Sequence, residues 1–299
     1  MVDNPSFCIA SQAKSRTSKA HCYVKNPYPC YRPPKENVKP PRIIYAICQA
    51  ARTNAPSKHP IWRVTPRYHP ITHSALNNQR AMNAHRARAI DAIIECLAAH
   101  VNIVTGKVYM SLAQISDACG LTTYNTEGKP CYSRTSRAIN EHLEALGAVL
   151  CDRIWDKTTG SYIPNIIWVT KVFFVLIGYE YGKYLSAQKQ QLSWENQKLR
   201  KAGEEPITLT EARRRAKAEH IRRAFAFRTQ KLARSKQYRR ARKLEAMDER
   251  KARGSILQDL VKIYRVEELG AMGYIELNRM VTQRYHAMCK LASSTPGTG

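Results

Sequence analysis

Apolar residues recur at helical spacing from residue 89 onward. Ala89, Ile90, Ile93, Ile94, Leu97 and Val101 fall on one side, while Arg86, Arg88, Asp91 and Glu95 fall mainly elsewhere, which predicts an amphipathic helix over 85–102. A turn at Thr105, Gly106 and Lys107 and a brief strand over 108–110 follow. Ser111 then caps a second helix through Leu112, Ile115 and Ala118, which stops at Gly120, a favoured left-handed position. After a polar connection over 122–131, residues 133–146 read SRTSRAINEHLEAL and predict a third helix ending at Gly147. With Ile139, Leu143 and Leu146 inward, a spacing of about 100° per residue places Ser133, Arg134, Arg137, Asn140, Glu141 and Glu144 on the opposite face. Beyond Gly147 the period becomes strand-like over 148–155 and 162–174, with a loop at 156–161, so a β-hairpin is expected.

Helix, short strand, helix, turn, helix and hairpin is the order of a winged helix-turn-helix. There the third helix enters the major groove and the wing tip touches adjacent backbone. The expected fold is mainly α (α+β), with this domain over 83–178. A Pro-rich arm over 1–82 precedes it, with prolines at 27, 29, 33, 34, 40 and 41 favouring extended chain and a short helix at 42–53. A basic helical region over 179–292 and a flexible tail at 293–299 complete the plan, with packed helices expected over 255–291.

Charge sharpens the partner. The 299 residues carry 49 Lys or Arg against 23 Asp or Glu, a formal +26, so phosphate-rich partners come first. Residues 200–253 alone hold 19 basic and 7 acidic side chains, an excess of twelve. Thr208 and Glu211 have capping-box spacing, so a long helix should begin near Leu209 and carry Arg213, Arg214, Arg215, Lys217, Arg222, Arg223 and Arg228. Its apolar stripe, Ile221, Phe225 and Leu232, is thin, so docking on DNA or a partner would stabilise it as much as its own core.

Other chemistry finds little support. The longest apolar stretch, 166–178, is interrupted by Thr170 and Lys171 and is too short to span a bilayer, and no secretory signal is expected. Nine scattered cysteines without a CxxC pair suggest reduced thiols in a cytoplasmic protein, not zinc or disulfides. Gly106-Lys107 and Gly128-Lys129 lack the remainder of a phosphate-binding loop. His69 and His73 are separated by Pro70, Ile71 and Thr72, a poor match to the paired histidines of a rolling-circle nickase. Neither enzyme activity nor a metal or other cofactor is expected.

The chain resembles the RepA replication initiators of IncFII-type plasmids and their IncB, IncI and IncL/M relatives. The resemblance covers roughly 86–264 and lies in Arg88-Ala-Ile-Asp-Ala92, Cys119-Gly-Leu121, Arg134-Thr-Ser-Arg-Ala138, Gly160-Ser-Tyr-Ile-Pro164, Trp194-Glu-Asn196 and Arg240-Ala-Arg242, with a fainter echo at Val24-Lys25-Asn26-Pro27. It implies an initiator that binds double-stranded origin DNA on its own plasmid, helps open an A+T-rich region, and brings in host DnaA, DnaB helicase and primase. On this reading Ser133, Arg134, Arg137 and Asn140 meet base edges, while Lys157, Thr158, Arg213, Arg214, Arg215, Lys217, Arg222 and Arg223 meet phosphates. The alternatives are a winged-helix transcriptional repressor from the binding class, a rolling-circle nickase from the enzyme class, and a basic RNA-binding factor, against which no basic stretch is closely interleaved with aromatics.

Overall fold

The computed structural model describes residues 24–33, 40–76 and 82–294, and of Val266 the backbone alone. The chain is mainly helical with small sheets and divides into two compact units. The first comprises 1–153 and 164–216, the second 154–163 and 217–299. The described residues before 82 and the helix after 179 fall in the first unit, and the tip of the hairpin falls with the C-terminal helices.

In the first unit α1 (Arg42–Thr53) forms where its apolar residues predicted, burying Ile44, Ile47 and Ala51. A 3-10 turn (Pro56–Lys58), α2 (Ile61–Val64) and the small hairpin β1 (Arg67–Tyr68) and β2 (Ala75–Leu76) follow. Next comes α3 (Ala84–Ala99), whose N-cap Asn83 accepts from the His85 amide. β3 (Lys107–Val108) leads to α4 (Leu112–Ala118), where Ser111 and Gln114 form a capping box. The connection thought merely polar forms the hairpin β4 (Thr123–Tyr124) and β5 (Pro130–Cys131).

The third helix begins as α5 (Ser133–Arg137) and continues over Ala138–Glu144 with the wider i→i+5 winding of a π-helix. Gly147, at φ 76°, turns the chain into β6 (Val149–Asp152). The distal strands are β7 (Trp155–Asp156) and β8 (Ser161–Tyr162), and β9 (Ile166–Val169) returns beside β6. The sheet order is β3-β9-β6, all antiparallel. The expected second strand ends early, because Thr170 caps a helix, α6 (Lys171–Leu176), that buries Phe173, Phe174 and Leu176. Burial of three large apolar side chains on a helical turn overrides the strand preference of this segment. α7 (Tyr181–Lys201) follows, and Asn196 bonds both the amide and the carbonyl of Ile207, which fastens the turn at Gly203.

One core joins these elements. Ile90, Ile93, Ile94 and Leu97 of α3 lie among Ile44, Ile47, Ile115, Ile139, Leu143, Ile167, Phe173 and Phe174. Much of the described arm is therefore helix, turn and hairpin instead of extended chain, and residues 24–33, which hold no helix or strand, pack on this core: Tyr31 is buried and its hydroxyl meets His100 Nε2 at 2.9 Å, and the Arg32 amide donates to the Ala118 carbonyl. The rest of the arm, at 1–23, 34–39 and 77–81, lies outside the described residues, as does 295–299 of the tail.

α8 (Leu209–Glu245) starts where the capping residues predicted, with the Glu211 amide donating to Thr208 Oγ1. In the second unit α9 (Glu249–Ile263) and α10 (Val266–Ser293) form the expected pair around Leu244, Ala252, Ile256, Leu260 and Val281.

Candidate nucleic-acid interface

The third helix buries Thr135, Ala138, Ile139, His142 and Leu143. Ser133 and Arg137 remain exposed on the other side, and the Arg137 side chain keeps 68 % of its surface in solvent, with Glu141 at 4.0 Å as an exposed partner. Arg134 is engaged within the protein. Its Nη1 donates to the Asn26 carbonyl at 2.7 Å and its Nη2 to the His85 carbonyl at 3.2 Å, so the guanidinium is spent inside the protein. Asn26 also donates to the Gly120 carbonyl at 2.9 Å, and Arg88 donates to the Pro27 carbonyl at 3.0 Å and stacks on the Tyr28 ring. Three of the segments that carried the family resemblance thus knit the arm to α3, α4 and the third helix.

Asn140 is likewise engaged. It donates to Ser136 Oγ at 3.2 Å and accepts from Arg153 Nη2 at 3.4 Å, while Arg153 also holds Glu144, whose side chain is only 7 % exposed. The wide winding after Ala138 shifts residues from the 100° spacing, and Asn140 and Glu144 both face Arg153. Together they fasten the helix to the chain leaving β6. Asn140 therefore positions this helix more than it presents a polar edge.

In the second unit the hairpin tip exposes Lys157 and Thr158. Beneath them Asp156 is buried, accepting from the Thr158 amide, Thr159 Oγ1 and Arg228 Nη1. Arg228 also donates to Thr159 Oγ1 and to the carbonyls of Ser161 and Tyr162. The Thr159 hydroxyl first and Arg228 after it hold the Asp156 carboxyl down at about 2. Arg228, expected only as one more cation, is the brace between hairpin and helix.

The remaining basic residues separate by partner. Arg213 Nε donates to the Thr105 carbonyl at 3.1 Å, which makes it an anchor within the first unit although the residue stays exposed. Arg214 and Arg215 both reach Glu211, and Arg222 and Arg223 both reach Glu219, all four with most of their side-chain surface exposed. Lys217 is half-buried. From Thr229 to Gln237 every residue of α8 is exposed. A helix with no buried stripe gains nothing from a core there.

The pair His69 and His73 sits in the β1–β2 turn, where His69 Nδ1 accepts from the Ile71 and Thr72 amides. Among the described residues no group of three His, Cys, Asp or Glu stands close enough to hold a metal ion, and no helix is long and apolar enough to cross a membrane. Cys8, Cys22 and His21 lie outside the described residues.

Known proteins share this sequence over nearly its whole length. The model of the IncFII RepA protein family matches residues 19–293. A probable replication-associated protein repA1 of Buchnera aphidicola subsp. Cinara cedri is 39 % identical over 271 residues, covering 90 % of this chain and 96 % of the relative. Its counterpart in Buchnera aphidicola subsp. Acyrthosiphon pisum is 36 % identical over 275 residues, covering 92 % and 97 %. A replication initiation protein of Escherichia coli is 29 % identical over 126 residues, covering 42 % and 44 %. No solved structure matches the chain.

Proposed function

The chain belongs to the IncFII RepA family of plasmid replication initiation proteins, and from that premise we propose that it binds the double-stranded origin of its own plasmid through the helix that begins at Ser133. On this reading the elements from α3 to β9 act as a winged helix-turn-helix. Bound there, the protein opens adjacent duplex and brings in host DnaA, DnaB helicase and primase, as the family resemblance implies.

The observation that carries this is the position of Arg137. It is the arginine of the third helix that remains in solvent, on a rod whose opposite side is packed into the core and whose end is fastened by Arg153. A planar guanidinium held outward on a fixed helix suits bidentate pairing with guanine in the major groove, worth about 1–3 kcal/mol of discrimination. Ser133, exposed at the start of the same helix, supplies a hydroxyl to a base edge or a phosphate.

The second unit supplies phosphate contacts by itself. Arg222 and Arg223 are exposed, and their ion pairs with Glu219 exchange readily for DNA phosphates because exposed pairs contribute little. Lys157 and Thr158 at the hairpin tip are available in the same way.

The test is a footprint of the full chain on its plasmid's own DNA, with permanganate added to detect unpaired thymines. Protection of one region with reactive thymines beside it is expected. Protection without reactive thymines would leave a protein that only occupies DNA, as a repressor does, and no preference over random duplex would overturn the proposal.

A further inference from the structure

We propose that the hairpin tip over 154–163 is a stacking platform for unpaired DNA bases, an inference that rests on the origin-opening role above and extends it. Trp155 and Tyr162 stand directly opposite each other across β7 and β8, with ring centroids 4.9 Å apart in an edge-to-face arrangement. They are 50 % and 57 % exposed, so two large aromatic side chains hold much of their surface in water.

The hairpin does not need them there as its sole fastening. Successive strand residues point to opposite faces, and the neighbour of Trp155, Asp156, is buried under Arg228. Arg228 alone reaches Asp156, Thr159, Ser161 and Tyr162. One face of the hairpin is therefore bolted to α8, and the aromatic pair is presented on the other as a fixed surface.

The charge around it selects the occupant. From Lys217 to Glu245 the helix that carries Arg228 holds eleven Lys or Arg against two Glu, so a polyanion is drawn to this unit. Paired bases hide their faces inside the stack, whereas unpaired bases offer a π-face to any aromatic ring. Aromatic rings on a hairpin that a basic helix holds from its other face are thus the chemistry of single-stranded nucleic acid, and a protein that opens an A+T-rich duplex creates that ligand at its own binding site. Arg228 lies 66 residues from Tyr162 and further still from Trp155 in the chain, which hides the arrangement from a linear reading.

The test uses the full-length protein, a fluorescent oligo-dT and a labelled origin duplex, read by anisotropy. The Trp155→Ala/Tyr162→Ala double variant is expected to bind oligo-dT roughly tenfold or more weakly, with duplex binding at the level of the starting protein. Trp155→Phe/Tyr162→Phe, which keeps two rings, should retain most of the oligo-dT affinity. Unchanged oligo-dT binding by the alanine variant would overturn the proposal, as would equal loss on both probes, which would reduce the pair to a hairpin staple. Origin binding by every protein without any oligo-dT binding would sink this inference and leave the duplex reading standing. Oligo-dT binding without origin preference would do the reverse.

Discussion

Arg228 Nη1 lies 3.1 Å from the carboxylate of Asp156, and the two side chains are 19 % and 2 % exposed. A residue in the middle of the most basic helix is thereby committed to holding the hairpin tip instead of meeting phosphate. Arg228→Met keeps the aliphatic stem and removes four donations to the hairpin. Amide exchange at 154–163 should rise sharply while α3 and the β3-β9-β6 sheet stay protected. Unchanged protection at the Ile163 amide, which donates to the Ile154 carbonyl, would show that the brace is dispensable.

Acid should release the same brace in a defined window. The Asp156 carboxyl is depressed from an ordinary 3.8 to about 2, so its contribution is present above the unfolded value and is lost as pH falls through the folded one. Hairpin protection should therefore persist to about pH 4 and collapse toward pH 2. Asp156→Asn should weaken the hairpin already at neutral pH and remove this step.

His142 gives a pH response of a different origin. Its Nδ1 accepts from Arg67 Nη1 at 3.0 Å, and burial first, then the Arg86 and Arg67 cations, pulls its pKa from 6.5 to about 4. Between those values the unfolded chain carries a proton that the folded chain lacks, so stability is full above 6.5 and falls as pH drops toward 4. Urea denaturation of the first unit, followed by a local probe, should show a lower midpoint at about pH 5 than at neutral pH. His142→Gln, which can still accept from Arg67, should flatten that difference; a midpoint that did not move with pH in the starting protein would contradict the assignment.

Arg222→Ala/Arg223→Ala should weaken binding to specific and random duplexes alike. Each lost phosphate contact removes about 0.9 from the slope of log affinity against log salt. An unchanged slope would exclude these two side chains from the interface. Arg213→Ala, by contrast, removes the donor to the Thr105 carbonyl, so it should lower the stability of the first unit and leave the salt slope intact.

The helical skeleton was legible because it follows from local rules. The apolar period placed α1, α3 and α4, and capping residues set the starts of α4 and α8. What escaped were the long-range bonds. A helical projection treats Arg134 and Arg137 alike, since both lie opposite Ile139, but a carbonyl at Asn26, 108 residues away, claims one of them. The commitment of Asn140 to Arg153 depends on a π-helical winding that residue spacing does not announce. Phe173 and Phe174 carry strand propensity, yet the core takes them on a helix. The loop expected over 156–161 is in part strand, and its pairing sets Trp155 opposite Tyr162, a relationship that residue spacing alone did not give.

The measurement that bears most directly on the account is the ratio of affinities for origin and random duplex in Arg137→Ala and Arg134→Met, each compared with the starting protein. Arg137→Ala should cut that ratio by roughly tenfold or more with stability unchanged. Arg134→Met should keep the ratio and cost about 1–3 kcal/mol of stability, because it strips the donor from two internal carbonyls. If Arg137→Ala left the ratio untouched, or Arg134→Met abolished it in a protein of full stability, the outward side of the third helix would not be what reads the DNA.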